Sequence, residues 1–415
     1  MNLIRRDLLK YAILAFPLAF AGLPIYVHAP DFYATQFNQS LITIGLILLF
    51  LRVIDAVQDP FIGMISDKYH IHRSKIMMVG MALLAGGFFM IFHPSQNYIL
   101  IWFALSVFLC TTGFSIVTIN LQASGGLWSV DTHQRTRVSS WREGVGLIGL
   151  LVASVTPTAL MMTFDTKMAF HLITLGYIPI LIVAGFIFLN WLKSASLDKP
   201  ENERPQKITA LFQDAWFQKF AFIFVLSSLA SAIPGVLVLF FIRDYLELES
   251  QTGLFLLLYF VAGAAAMPLW MAVSGKLGKI KTWLLSMVLA SITFIWAFGL
   301  DVGDATIFYM ICVLSGLALG ADLALPPAIV ADYIARKKTQ NLASRYYAMM
   351  AFLSKGALAL ATGITLPLLG LMGYQPGSNE GAENLPLAYA FIPCFIKITA
   401  AILLFLNRYK LNTDN

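Results

Sequence analysis

Charge is what this chain has least of. Asp, Glu, Lys and Arg make up only 12% of its 415 residues, about half the share found in soluble domains. A fold that meets water on every side is therefore excluded. Acid is scarcer than base, with 22 carboxylates against 28 Lys and Arg. The three cysteines, Cys110, Cys312 and Cys394, fall in different apolar runs, which excludes a disulfide framework and a cysteine-based metal spacing. His28, His70, His72, His93, His133 and His171 are scattered through loops and run ends without ligand spacing. A phosphate loop is missing too: the short GKLGK stretch at 275–279 follows no strand, the context such a loop requires. Without a nucleophile–base pairing, an ATP motif or a metal cluster, the chain points away from an enzyme and needs no cofactor. Long polar stretches are equally rare, and residues 193–215 form the only one.

What fills the chain is hydrocarbon. Hydrophobic residues account for 59% of it, and the mean hydropathy is +0.76. Apolar runs recur near 10–29, 41–66, 76–93, 98–127, 144–164, 168–192, 218–241, 251–273, 282–299, 305–334, 346–372 and 385–407. Each approaches the roughly 20 residues that span a bilayer core. Twelve transmembrane helices, an all-α integral membrane protein, is the fold class expected. Basic residues give its orientation. Of the 28 Lys and Arg, 23 fall at the N-terminus, in alternate loops and at the C-terminal tail, and only Lys167 and Arg243 on the opposite side. By the positive-inside rule both termini are cytoplasmic. The pI near 9.1 then reflects topology, with no nucleic-acid partner implied. The basic start lacks a small-residue cleavage site and reads as an uncleaved first helix. Trp102, Trp191 and Trp216 near run ends fit interfacial anchors.

The polar stretch sits between runs six and seven. It divides the chain into an N-terminal six-helix bundle (1–192), a cytoplasmic linker (193–217) and a C-terminal six-helix bundle (218–415). Internal similarity supports the division: PFIGMISDK at 60–68 and PLWMAVSGK at 268–276 share Pro, Ser and Lys at a shift of 208, which also carries Arg137 onto Arg345. Two parallel six-helix repeats with a site between them at the midplane are the plan of major facilitator transporters. The repeat is broken at one place. Arg52, Asp55 and Asp59 correspond to Phe260, Gly263 and Met267, so whatever these charges do belongs to one half.

Residues 52–63 read RVIDAVQDPFIG and follow an apolar run. An ionised group at mid-bilayer costs about 2.5–3.5 kcal/mol on insertion scales, so three within eight residues demand a reason. At 100° per residue, positions 52, 55 and 59 lie within about 60° of one another, with Gln58 flanking them. Such a stripe must face the bundle interior or a wet cavity. Pro60 disfavours the helical conformation at Asp59, which predicts a loosened turn beside the acids. Two readings stay open: Arg52 neutralises Asp55 in a buried ion pair, or Asp55 and Asp59 share a Na⁺ or H⁺ with Arg52 offsetting leftover charge. Hard cations favour oxygen ligands, and two close carboxylates resist joint ionisation without a counter-ion.

RVIDAVQDPFIG resembles the helix-2 signature of the glycoside–pentoside–hexuronide cation symporters, the family of the melibiose carrier. The likeness extends to Tyr11, SDKYHIHRSK, QRTRVSSWREG at 134–144, AD at 331–332 and LSKGALAL at 353–360. It implies cation binding at Asp55 and Asp59, with Gln58 where the family often has Asn and Ser115 near a Thr that helps the cation site. It also implies a polar-network role for Lys355 and a place near the substrate for Arg142, although local pairing at the membrane interface explains Arg142 nearly as well. The family's sugar-gripping acids fall at Ala19 and Thr118, the latter with Asn120 and Gln122 nearby, so both carboxylates are missing; Ala335 replaces a second acid in helix 10. Asp67, in the loose G-x-x-x-D-[RK] loop pattern, would latch the inner gate near helix 11. Asp322, in GADLALPP, reads either as a gating or substrate group or as a buried acid bonded to backbone freed where Pro326 and Pro327 break the helix. Lys397 reads as facing a neighbouring helix or the outer interface.

The expectation is a Na⁺- or H⁺-coupled symporter of a small polar, sugar-like solute, monomeric in the bilayer of a bacterial inner membrane. An exporter or carrier of a siderophore, organic acid or lysolipid is the alternative within transport. A non-transporting receptor or scaffold would leave the acids idle.

Overall fold

The computed structural model describes residues 4–95, 97–199, 211, 213–375 and 381–412. Much of the expected linker, residues 200–210 and 212, lies outside the described residues. Among the described residues the chain is helical, with no strand beyond a single Trp128–Leu197 bridge. Eleven runs among the described residues are long and apolar enough to cross a membrane, and a bent pair adds a twelfth. In chain order they are α1 (Arg5–Phe37), α2 (Leu41–Lys68), α3 (His70–Phe92), α4 (Ile99–Gly126), α5 (Thr132–Met161) and α6 (Thr166–Ser194). Then come α7 (Ala215–Tyr245), the bent α8 (Glu249–Ala265 and Met267–Leu277), α9 (Lys279–Gly299), α10 (Ala305–Lys337), α11 (Gln340–Leu371) and α12 (Ala382–Leu411).

Side-chain chemistry sets several boundaries. Asp131, Asp165 and Asp214 each accept backbone N–H groups at the start of α5, α6 and α7, at 2.9 to 3.4 Å, satisfying donors the first turn leaves unpaired. Prolines behave differently from the sequence expectation. Pro60 lies inside a continuous α2, and Pro326 and Pro327 lie inside a continuous α10, so neither the loosened turn at Asp59 nor the break in α10 occurs. Each proline removes one backbone bond, and neighbouring helices in a membrane bundle keep the turn in place. The break comes instead in α8, which bends by 41° at Ala266, just before Pro268.

The chain divides into two compact units. The first comprises Met1–Gln206 with Ile334–Ala351, and the second comprises Lys207–Tyr333 with Phe352–Asn415. In the first unit, α3 and α4 approach until their backbones nearly touch. A Cβ on Gly113 would lie 2.5 Å from the Gly80 carbonyl oxygen and the Leu84 nitrogen, and one on Gly87 would lie 2.8 Å from the Ser106 carbonyl oxygen. Small residues at such seams let dispersion and hydrogen bonding replace the hydrophobic drive that lipid removes. Aromatic rings fill one end of this unit: Phe92 stacks on Phe170 at 4.5 Å, and Tyr33 meets Phe103 at 4.6 Å. The second unit has its own ring cluster, with Phe241 stacked on Tyr389 at 4.1 Å and Phe255 edge-on to Phe308.

Helix α2 is two-faced. Leu46, Phe50, Val53, Val57 and Phe61 are exposed, while Asp55, Asp59, Ile62, Gly63, Ser66 and Asp67 are buried. The exposed stripe repeats every three to four residues and is wholly apolar, which suits acyl chains. The acids are thus held on the opposite face.

Candidate cation site

Asp55 is 6% exposed and Asp59 fully buried, one turn apart on the inner face of α2. Their surroundings come from α4. The Ser115 hydroxyl donates to Asp55 Oδ1 at 3.1 Å, and Gln58 Nε2 donates to the same oxygen at 3.1 Å. Gln58 in turn accepts from the Thr112 hydroxyl at 3.0 Å. The resulting chain runs from Thr112 to Gln58 to Asp55 with Ser115 alongside; it turns the Gln58 amide nitrogen to Asp55 and its oxygen to Thr112, and gathers hydroxyl and carboxylate oxygens on the inner face of α2. These are the donor types hard cations take. Among the described residues there is no group of three or more His, Cys, Asp and Glu that could hold a metal ion.

Arg52 is exposed, with its guanidinium 5.0 Å from the centre of the Tyr26 ring on α1. A guanidinium over a ring face is held by the ring quadrupole. Of the three charges of the stripe, the two acids point inward and the base rests on an aromatic face.

The other residues singled out by sequence fall in several places. Asn120 is fully buried and donates to Ser66 at 2.8 Å and to the Ile116 carbonyl at 2.9 Å, tying α4 to α2 about two turns beyond Asp59. Thr118 has a buried hydroxyl oxygen with no hydrogen-bond partner among the described residues, and Gln122 is half-buried. Arg142 is buried and donates through two nitrogens, at 3.0 and 2.5 Å, to one oxygen of Glu143. Lys355 lies half-buried on α11 in the second unit.

Asp67 closes the foot of α2. Its two oxygens accept the backbone N–H groups of Ser344 at 2.8 Å and Arg345 at 3.1 Å, and Arg345 Nε lies 3.4 Å away. An acid at this place meets the positive end of the α11 helix. Arg73 adds a hydrogen bond to the Ser344 hydroxyl at 3.2 Å. A Cβ on Gly63 would lie 2.6 Å from Ala348 Cβ and 2.9 Å from the Ser344 carbonyl oxygen, so only glycine admits this approach. All these residues belong to the first unit.

Asp322 lies in the second unit, and the partners it takes there are side chains rather than backbone freed by Pro326 and Pro327. Trp283 Nε1 donates to Asp322 Oδ1 at 3.0 Å, Ser231 reaches Oδ2 at 3.5 Å, and Lys397 forms an ion pair with Oδ2. Lys397 is 4% exposed and also donates to Ser227 and Ser231. The outer-interface alternative for Lys397 is therefore corrected: it faces a neighbouring helix and an acid. An acid in one apolar span and a base in another contained the signal, since a buried charge needs a partner. Thr112 was missed as well, because a lone threonine in an apolar helix carries no signal until its neighbour is known.

Comparisons agree with this architecture. The family described as MFS/sugar transport protein matches residues 10–413. The inner membrane symporter YicJ of Escherichia coli (strain K12) is 23% identical over 409 residues, covering 92% of this chain and 87% of its own length. A bacterial homologue of the iron transporter ferroportin, solved in an outward-facing state, is similar in fold with a TM-score of 0.77 at 18% identity, over 98% of this chain and 99% of that one. The E. coli fucose:proton symporter FucP gives a TM-score of 0.71 at 11% identity, over 96% of this chain and 98% of that one.

Proposed function

Because the chain belongs to the MFS/sugar transport protein family, with the glycoside–pentoside–hexuronide:cation symporters of the major facilitator superfamily, we propose that this membrane transporter couples a small polar solute to Na⁺ or H⁺. Its family and fold are those of transporters, which are not enzymes. The observation that carries the coupling is the pair of buried acids on α2, with Gln58 and Ser115 hydrogen-bonded to Asp55 and Thr112 behind Gln58. In this reading Asp55 and Asp59 bind the ion, Gln58 and Ser115 contribute oxygens, and Arg52 moderates the local charge. Lys355 and Arg142, with Thr118, Asn120, Gln122 and Asp322, supply groups for the solute. A cation neutralises one of two close acids and so stabilises the conformer that holds both inside. It drives transport only through its different affinity for the two access states. Asp67 acts as the gate latch, holding the start of α11 while the cytoplasmic side is shut.

The same proposal sets both termini in the cytoplasm of a bacterium and has the chain work as a monomer in the inner membrane. The test is uptake into vesicles driven by a Na⁺ or proton gradient. Gradient-dependent accumulation that Asp59→Asn abolishes supports coupling; accumulation indifferent to both ions overturns it. A second reading, a carrier or exporter of a non-sugar solute such as an organic acid, siderophore or lysolipid, is favoured by Ala19 and Thr118, which stand where the family's sugar-gripping acids would be. Efflux from loaded vesicles without uptake would decide for it.

A further inference from the structure

The second unit contains a polar centre that the cation site does not explain. Asp322 on α10 and Lys397 on α12 form a buried ion pair beside a cavity of about 70 Å³. Two charges in an apolar unit impose a desolvation penalty that well-packed hydrocarbon would avoid. We propose that this pair and its cavity form a binding site for a small, uncharged, hydroxyl-rich solute of polyol class. This rests on the carrier reading and deepens it by naming the solute class and the residues that grip it.

Charge accounting comes first. Lys397 and Asp322 cancel, so a charged ligand would leave one charge uncompensated in a low-dielectric site. A neutral ligand leaves the balance intact. Hydrogen-bond accounting comes next. Lys397 has three ammonium hydrogens and four acceptors around it: the Ser227 carbonyl and hydroxyl at 3.3 and 2.9 Å, Ser231 at 3.1 Å, and Asp322. It has no hydrogen left for a ligand. Asp322 receives Trp283 on one oxygen, and Lys397 and the distant Ser231 on the other. A carboxylate offers about four lone-pair sites, so acceptor capacity remains. Ser291 and Ser315 line the same cavity, and their hydroxyl protons are used on the Met287 and Ile311 carbonyls at 2.9 and 2.6 Å. Their oxygens are left as acceptors. Tyr259 also lines the cavity and adds one hydroxyl that can donate or accept. The polar part of the wall thus offers more acceptors than donors, and its complement is an uncharged molecule that donates several hydrogen bonds.

Size and wall chemistry narrow the class. One water needs roughly 10–15 Å³ of such volume, so the cavity has room equal to about five to seven waters, the scale of a polyol of a few carbons. Pro234, Phe294 and Pro393 also line it and give apolar faces for the C–H side of such a solute.

Isothermal titration of the purified full chain in detergent and Na⁺-free buffer tests the site, using erythritol and xylitol against lactate and ethanolamine. Saturable heat with a polyol is expected, at least tenfold tighter than with either charged probe. Asp322→Asn/Lys397→Gln, which keeps the site neutral, should weaken polyol binding at least tenfold. Ser315→Val, which narrows the cavity and leaves the ion pair in place, should do the same and remains informative if the double variant fails to fold. Wild-type affinity in either variant, a charged probe binding as tightly, or no saturable polyol heat would overturn the proposal. Cation coupling fails separately: uptake indifferent to Na⁺ and pH with polyol heat intact removes the coupling and keeps the site, whereas gradient-driven uptake of another solute without polyol heat does the reverse.

Discussion

One buried polar cluster in each unit handles charge in an opposite way. In the first, two like charges share one helix face, and the nearby base, Arg52, rests over Tyr26. In the second, one acid and one base from different helices close on each other, with Trp283, Ser227 and Ser231 filling in. The repeat makes the contrast sharper. At the shift of 208, Asp59 corresponds to Met267 at the α8 bend, while Asp322 corresponds to Phe114, the residue before Ser115. Close like charges make each other harder to ionise, whereas opposite charges offset one another. Under the proposed function, the first arrangement would serve the ion and the second would hold the neutral solute.

Substitutions can break that contrast. The largest expected effect is Asp59→Asn, which should lower gradient-driven uptake at least a hundredfold in vesicles while leaving the chain folded, since an amide removes a buried like charge. Lys397→Met should destabilise the second unit by about 3–5 kcal/mol by leaving Asp322 without its counter-charge, read as a lower unfolding temperature in detergent. Asp322→Asn added to it should recover most of the loss. If Lys397→Met is tolerated and Asp59→Asn unfolds the chain, the assignment of roles is inverted. Gly113→Val should cost about 1–3 kcal/mol by overpacking the α3–α4 seam, with uptake falling in step with folded protein. Thr112→Val, the smallest, should cost about 1 kcal/mol, since one hydrogen bond to Gln58 is lost. That is roughly a fivefold change in the folding equilibrium, read as a small drop in unfolding temperature in detergent.

Much of the fold was legible because bilayer thickness forces a length and a composition on every span. The runs beginning at Leu41, Thr166 and Ala305 announce themselves in that way. The acids of α2 were legible too, as charge in hydrocarbon is conspicuous. Helix geometry around proline was not: Pro60, Pro326 and Pro327 sit in unbroken helices while the α8 chain bends before Pro268. Which of these occurs depends on neighbours that a local dipeptide rule does not see. Partner choice was also hidden. Lys397 and Asp322 are 75 residues apart, and only the folded bundle brings α10 and α12 to that pairing over others.

One arrangement at the foot of α2 bears on biosynthesis. The first six spans are complete as sequence by Ser194, yet Gly63 and Asp67 find their neighbours in Ser344, Arg345 and Ala348. Those residues emerge some 150 positions later, about 7–30 s at ordinary rates of ribosomal elongation. The nascent N-terminal half must therefore wait in the membrane with the seam at the foot of α2 incomplete, so truncation before residue 344 should yield a protease-sensitive product even though six whole spans have been made.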